Sequence, residues 1–233
     1  MPRKTTAAVS AEAEKRPFDI DDVFARLRTA VSDLPKAAMF DLRDRGFATP
    51  FEQLVGSLIS ARTRDETTTE VCLRLFARAR TPQELAGLGV DELTKLIAPA
   101  TFPEVKARDL LVIARDVIEN HGGRIPDTVE GLMSFRGVGP KIAALTIAVG
   151  FGRPAIAVDV HVHRVTNRWG YVASKTPERT AEALALILPK PYWVEINERL
   201  VPFGKHVCTG LRPRCSACPL RPYCRQVGVT DAR

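Results

Sequence analysis

Residues 135–145 read FRGVGPKIAAL: two glycines flank a valine, and after a proline a lysine opens an apolar run. Upstream, Leu132 and Phe135 share one helical face; downstream, Ala143, Ile147 and Val149 belong to the next helix. Gly137 and Gly139 are therefore expected in a tight turn between two closely packed helices, because glycine alone tolerates positive φ and leaves room for backbone approach.

Such a turn leaves free backbone N–H groups at the start of the second helix, and these bind phosphate well. A Gly-x-Gly turn by itself joins many helix pairs that bind nothing. The apolar register on both sides favours a helix-hairpin-helix, with Gly137, Val138 and Gly139 gripping one DNA strand without reading its sequence. Lys141 falls in the first turn of the second helix. The ordinary role for a lysine on a basic protein is a phosphate contact. However, the positive end of a helix dipole disfavours an ammonium ion, burial adds to the effect, and a free amine is what nucleophilic catalysis needs.

Further on, GRPAIAVDVHVHRVTNRW (152–169) places Asp159 after a short apolar segment and before a helix expected to start near His161. Asp is a good helix N-cap. A capping carboxylate is rigidly held and can still present one oxygen to a site, and burial of AIAV would put this one at a core boundary. His161 is read as lining a pocket beside it.

With 45% hydrophobic residues over 233 positions, the chain can bury a core of its own in one or two domains. Lysine and arginine total 34 against 27 acids, a net charge of +7, which points to an anionic partner. Arg199, Lys205, Arg212, Arg214, Arg221 and Arg225 follow one another with no acid between them, so this end is the expected polyanion contact. There is no apolar run long enough to span a membrane, and the opening MPRKTTAAVSAEAEKRP lacks the apolar core of a secretory signal. The expectation is an intracellular protein with a disordered tail over residues 1–16.

TPFE (49–52) and TPQE (81–84) each offer an N-cap Thr, a first-position Pro and a Glu placed to close a capping box; TPER (176–179) is a weaker version. Few stretches alternate with period two. The chain reads as all-α, with roughly nine or ten short helices at typical helix and loop lengths.

Cys208-x6-Cys215-x2-Cys218-x5-Cys224 gathers four thiols around room for one metal centre. The spacing favours an iron–sulfur cluster and leaves zinc open, since only Cys215 and Cys218 form a zinc-type knuckle. Between the first two cysteines, TGLRPR carries Arg212 and Arg214, as if the metal shaped a loop for phosphate contact. Cys72, in an apolar helix, reads as a core residue.

Together these residues resemble the endonuclease III family of DNA glycosylases. FRGVGPKIA is similar to its L-P-G-V-G-x-K-T-A hairpin, AVDVHVHRV to its V-D-T-H-x-x-R-V, and the cysteine run has its [4Fe–4S] spacing. The resemblance extends from about Phe18 to Cys224 and implies a two-lobed all-α fold. In it, residues 17–42 with 154–227 form a cluster lobe, 43–153 form a helical barrel holding the hairpin, and 228–233 are a tail. It implies a bifunctional DNA glycosylase and AP lyase that excises oxidised pyrimidines in base excision repair. Lys141 attacks the sugar C1′, Asp159 assists, and β-elimination nicks the strand 3′ to the lesion. The partner implied is double-stranded DNA carrying an oxidised pyrimidine or an abasic site. The cofactor implied is a structural [4Fe–4S] cluster. The protein would be a monomer in a bacterial cytoplasm, associated with the nucleoid.

The sequence departs from the family pattern in places. LISARTRD has Arg62 where the family's gap-filling glutamine stands, and TFPEVKA brings Phe102 and Pro103 to its wedge loop. Arg136 replaces the hairpin proline, and Val160 the threonine after Asp159. These changes predict ordinary chemistry with an altered lesion range or weaker activity. Two other readings compete: a mismatch-specific relative, which typically lacks the lysine at position 141, and a non-catalytic or weakly active DNA-binding protein, which would have little use for both Lys141 and Asp159.

Overall fold

The computed structural model describes residues 15–233, so the tail expected over residues 1–16 lies outside the described residues as far as residue 14. Lys15 and Arg16 are tied down: the Lys15 Nζ donates to the Arg221 carbonyl (3.0 Å) and the Arg16 N–H to that of Pro222 (2.9 Å).

The described residues form twelve α-helices and no strand. They are α1 (Ile20–Ala30), α2 (Ala38–Asp44), α3 (Pro50–Ser60), α4 (Asp65–Phe76), α5 (Pro82–Ala86), α6 (Val90–Ile97), α7 (Pro103–Asn120), α8 (Val129–Met133), α9 (Pro140–Leu145), α10 (Val160–Trp169), α11 (Pro177–Ile187) and α12 (Tyr192–His206). The count exceeds the expected nine or ten because α5, α8 and α9 are only five or six residues long. Helices that short show no periodicity of their own. No helix among the described residues is long and apolar enough to cross a membrane.

The start signals work as read. Thr49 with Glu52, and Thr81 with Glu84, close reciprocal capping boxes, while Thr176 caps the Arg179 N–H without one. Each cap contributes about 1 kcal/mol to starting its helix at that residue.

Two apolar cores result. The first is built from α2 to α9 and includes Phe40, Leu54, Leu110 and Leu132; the second joins α1 to α10–α12 and includes Phe24, Trp169, Phe203 and Tyr223. The chain thus leaves the second lobe after α1 and returns to it before α10. The expected division at 42/43 falls inside α2, whose buried Ala38, Met39, Phe40 and Leu42 all belong to the first core. Helix α12 serves both cores, with Val201 in the first and Leu200 and Phe203 in the second. Polar ties reinforce the junction: Arg43 pairs with Glu198 (3.1 Å) and Lys205 with Asp65 (2.7 Å).

The hairpin joins α8 to α9 with one left-handed glycine. Gly137 has φ +79°, whereas Gly139 is extended at φ −102° as the N-cap of α9, with open space where a Cβ would stand. Only one of the two expected conformational requirements is therefore present. Val138 turns into the core at 7% exposure, and its N–H donates to the Phe135 carbonyl. Its side chain is a packing group.

Candidate active site

Between the lobes lies a cavity of about 630 Å³. Helix α9 presents Lys141 to it, the start of α10 presents Asp159, Val160 and His161, and the α3–α4 connection presents Arg62. From α12 come Asn197, Val201 and Lys205. Lys141 and Asp159, read separately from the sequence, share this cavity with His161 and Arg62. Phe102, Arg212, Arg214 and the hairpin glycines are not part of its lining.

Asp159 is the N-cap of α10: its Oδ1 accepts the N–H groups of His161 (2.9 Å) and Val162 (2.8 Å). The preceding Ala157 and Val158 are buried, which fixes the carboxylate at the edge of the core, where Asp159 lines the cavity. The helix begins at Val160, one residue before the expected start.

His161 is held from behind. The Arg164 Nη2 donates to its Nδ1 (3.1 Å), and because a guanidinium only donates, the ring proton resides on Nε2. Burial lowers the imidazole pKa below its usual value; Asp159 opposes this, and Arg164 and Lys205 add to it. Helix α12 comes so close here that a Cβ on Gly204 would stand 2.7 Å from His161 Nδ1 and 3.1 Å from Arg164 Nη2. Arg164 also donates to the carbonyls of Gly204 (2.8 Å) and Cys208 (3.0 Å), so the site and the cysteine loop share a support.

Lys205 is a cavity residue that motif reading misses. Burial disfavours its charge, yet hydrogen bonds to Asp65 (2.7 Å) and Glu66 (3.3 Å) hold its ammonium above the usual lysine range. A signal for it does exist in the sequence: Asn197, Val201 and Lys205 recur every four residues on one face of α12.

This pairing also revises the reading of the basic C-terminal end. Arg199 is engaged by Glu195 (3.0 Å), Lys205 by Asp65 and Glu66, and Arg212 by Asp231 (3.1 Å). Arg214, Arg221 and Arg225 have no acidic partner among the described residues. Arg212, like Arg62 and Phe102, is a non-glycine residue in the left-handed region, with φ values of +45°, +58° and +56°. Arg136, in place of the expected proline, is pinned to Asp109 (2.9 Å).

Cys208, Cys215, Cys218 and Cys224 line one pocket, together with Trp169, Phe203, Val207 and Val229. Among the described residues no three potential ligand side chains converge as a single metal ion would require. The four thiols instead stand around a common apolar space. Burial raises the Cys218 thiol pKa and pushes that of Cys224 up to about 11. Arg168 braces the loop, donating to the Cys208 Sγ (3.4 Å) and the Thr209 (2.6 Å) and Gly210 (2.7 Å) carbonyls. The C-terminal residues close over it, with the Arg233 N–H on the Pro213 carbonyl and the Ser216 N–H on that of Arg233. Cys72 is fully buried, its pKa raised to about 12 by burial, as befits a core thiol.

Comparison with known proteins agrees with this architecture. The family described as HhH-GPD superfamily base excision DNA repair protein matches residues 55–190. Endonuclease III of Thermotoga maritima is 43% identical over 175 residues, covering 75% of this chain and 82% of the relative. The chain is also similar to a solved non-covalent endonuclease III–DNA complex, with a TM-score of 0.77 and 30% identity over 89% of this chain and 94% of that one. A trapped endonuclease III–DNA covalent intermediate superposes with a TM-score of 0.76 and 30% identity, covering 90% and 97%.

Proposed function

Since the chain belongs to the endonuclease III family, within the HhH-GPD superfamily of base excision DNA repair proteins, we propose that it is a bifunctional DNA glycosylase and AP lyase acting on oxidised pyrimidines in duplex DNA. The observation that carries this reading is the meeting of Lys141 and Asp159 in one interlobal cavity. A space of about 630 Å³ accommodates a nucleotide turned out of the helix, at an unstacking cost of a few kcal/mol that is smallest for a poorly paired lesion.

In the proposed mechanism the Lys141 amine attacks C1′ of the flipped nucleotide. The glycosidic C–N bond breaks, its electron pair leaves with the base, and the base takes up a proton. Asp159, anchored through Oδ1 by two backbone N–H groups, offers Oδ2 to the proton shed by the amine or to positive charge developing on the sugar. Opening of the sugar ring leaves a Schiff base between C1′ and the lysine nitrogen. Loss of a C2′ proton then expels the 3′ phosphate. His161, donating only through Nε2, lines the base-binding space. The hairpin amides beyond Val138, with Arg212 and Arg214 on the cysteine loop, supply phosphate contacts, while Arg62 and Phe102 enter the space vacated by the nucleotide.

Cys208, Cys215, Cys218 and Cys224 are assigned to a [4Fe–4S] cluster, which the apolar pocket between them supports. Its contribution when bound is structural, cross-linking the loop that carries Arg212 and Arg214. The protein is proposed to act as a monomer in the cytoplasm; sedimentation tests the first point, and iron analysis against zinc tests the metal.

The decisive experiment is borohydride reduction of the protein mixed with a duplex containing one oxidised thymine or one abasic site. Wild type is expected to give a covalent adduct that Lys141→Ala abolishes. Salt-sensitive binding with no adduct on either duplex would reduce Lys141 to a phosphate contact and overturn the lyase assignment.

A further inference from the structure

Two loops of the first lobe carry exposed residues in left-handed backbone: the α3–α4 connection with Arg62, and the α6–α7 connection with Phe102, which is 57% exposed. Non-glycine residues keep such conformations only where their surroundings over-determine them. Here the two loops determine each other. The Thr101 hydroxyl donates to the Arg62 carbonyl (2.8 Å), and the Thr101 N–H donates to the Thr63 hydroxyl (3.1 Å).

Lys106, one turn into α7, closes the arrangement. Its Nζ donates to the carbonyls of Ile59 (2.6 Å) and Ala61 (2.8 Å) and to the Thr63 hydroxyl (3.0 Å). An ammonium has three donors, and all three are used, so this lysine has none left for a phosphate. Its acceptors are the final carbonyls of α3, the negative end of that helix, where a cation is favourable. Burial pulls the Lys106 pKa down to about 8, so the charge is held against desolvation by these oxygens.

We infer that Lys106 is a positioning residue that locks the Arg62 and Phe102 loops into one rigid two-pronged unit, so that both side chains enter the duplex together at a fixed separation. The inference rests on the proposed glycosylase function and adds to it a group that touches neither the reacting atoms nor DNA. A pre-set pair of prongs pays less ordering entropy on insertion than two independently moving loops would. Chemistry that needs no gap to be filled should be indifferent to the lock.

The test is Lys106→Met, which keeps the aliphatic stem and removes the donors, with Lys106→Arg as the conservative variant. Single-turnover excision of an oxidised thymine from duplex DNA should fall on the order of 10²-fold in Lys106→Met, while nicking at an abasic site in single-stranded DNA stays within about two-fold of wild type. Lys106→Arg should recover most of the duplex rate. Equal loss on both substrates, or no loss on either, overturns the inference. A readout independent of activity is amide exchange in the free protein: Lys106→Met should lose protection in residues 61–64 and 98–102 together. Loss confined to one loop, or to neither, also overturns it. If wild type itself gives no borohydride adduct, the functional reading fails, and the exchange experiment still decides whether the lock exists.

Discussion

The two lobes hold their exposed loops by different means. In the first, Lys106, Thr63 and Thr101 join two connections by hydrogen bonds between side chain and backbone, and the polypeptide alone supplies the rigidity. In the second, the loop carrying Arg212 and Arg214 is braced by Arg168 and the C-terminal residues, and it is wrapped around the four thiols proposed to hold a metal centre. The first lobe has a large aliphatic core to build on, while the second closes its smaller core with Cys208, Cys218 and Cys224 packed against it. A loop beside a large core can be fixed by caps and hydrogen bonds. One beside a small core has more to gain from a cross-link such as the proposed cluster.

The largest way to break this comparison is to remove a thiol. Cys218→Ser should cost the second lobe stability comparable with the whole ~5–15 kcal/mol of a typical domain, and the first lobe should melt separately and later. Calorimetry with limited proteolysis checks this; a single unchanged transition would show that the loop stands without the proposed cluster.

Next is Gly204→Ala, at the place where α12 meets α10 beside the cavity. The new methyl would lie 2.7 Å from His161 Nδ1 and 2.9 Å from its Cβ, so His161 and Arg164 must move. A cost of about 1–3 kcal/mol in denaturant unfolding is expected, with a drop in excision rate through the displaced site.

Within the first lobe, the hairpin glycines separate by backbone conformation. Gly137→Ala meets its neighbours only at ordinary contact distance, but φ +79° makes it strained, and about 1 kcal/mol should be lost. Gly139→Ala has extended φ and open space and should fall within about 0.5 kcal/mol of wild type. Equal effects on stability would contradict the asymmetry of the turn.

The smallest effect is one of pH. The folded protein holds His161 neutral, its pKa lowered chiefly by burial, so the unfolded chain binds that proton more readily. Stability should decline as pH falls through the unfolded value of about 6.5 and towards the folded one, and His161→Gln should flatten that part of the profile. Chemical denaturation across this range is the measurement.

Much of the site can be read locally. Asp159 as a cap, Lys141 behind a glycine turn, and the four cysteines all lie in short motifs whose chemistry is decided within a few residues. Lys205 and Lys106 do not. Each is an unremarkable lysine until its partners arrive, for Lys205 from 140 positions away and for Lys106 from more than forty. The basic stretch from Arg199 to Arg225 is likewise modified from elsewhere, since acids outside it or at its edge engage half of its cations.

The amino-acid sequence by itself determined where helices start, that no strand forms among the described residues, where the chain must turn at Gly137, and which thiols meet at one pocket. Caps, φ preferences and ligand spacing act between near neighbours, and so they survive in a linear reading. Only the tertiary structure decided that α2 joins the first core, that Gly139 needs no left-handed backbone, that Lys141 and Asp159 face one cavity, and which charges remain free. Those outcomes depend on how helices distant in sequence pack, because a charge or a carbonyl is satisfied by whatever the fold brings within hydrogen-bond reach.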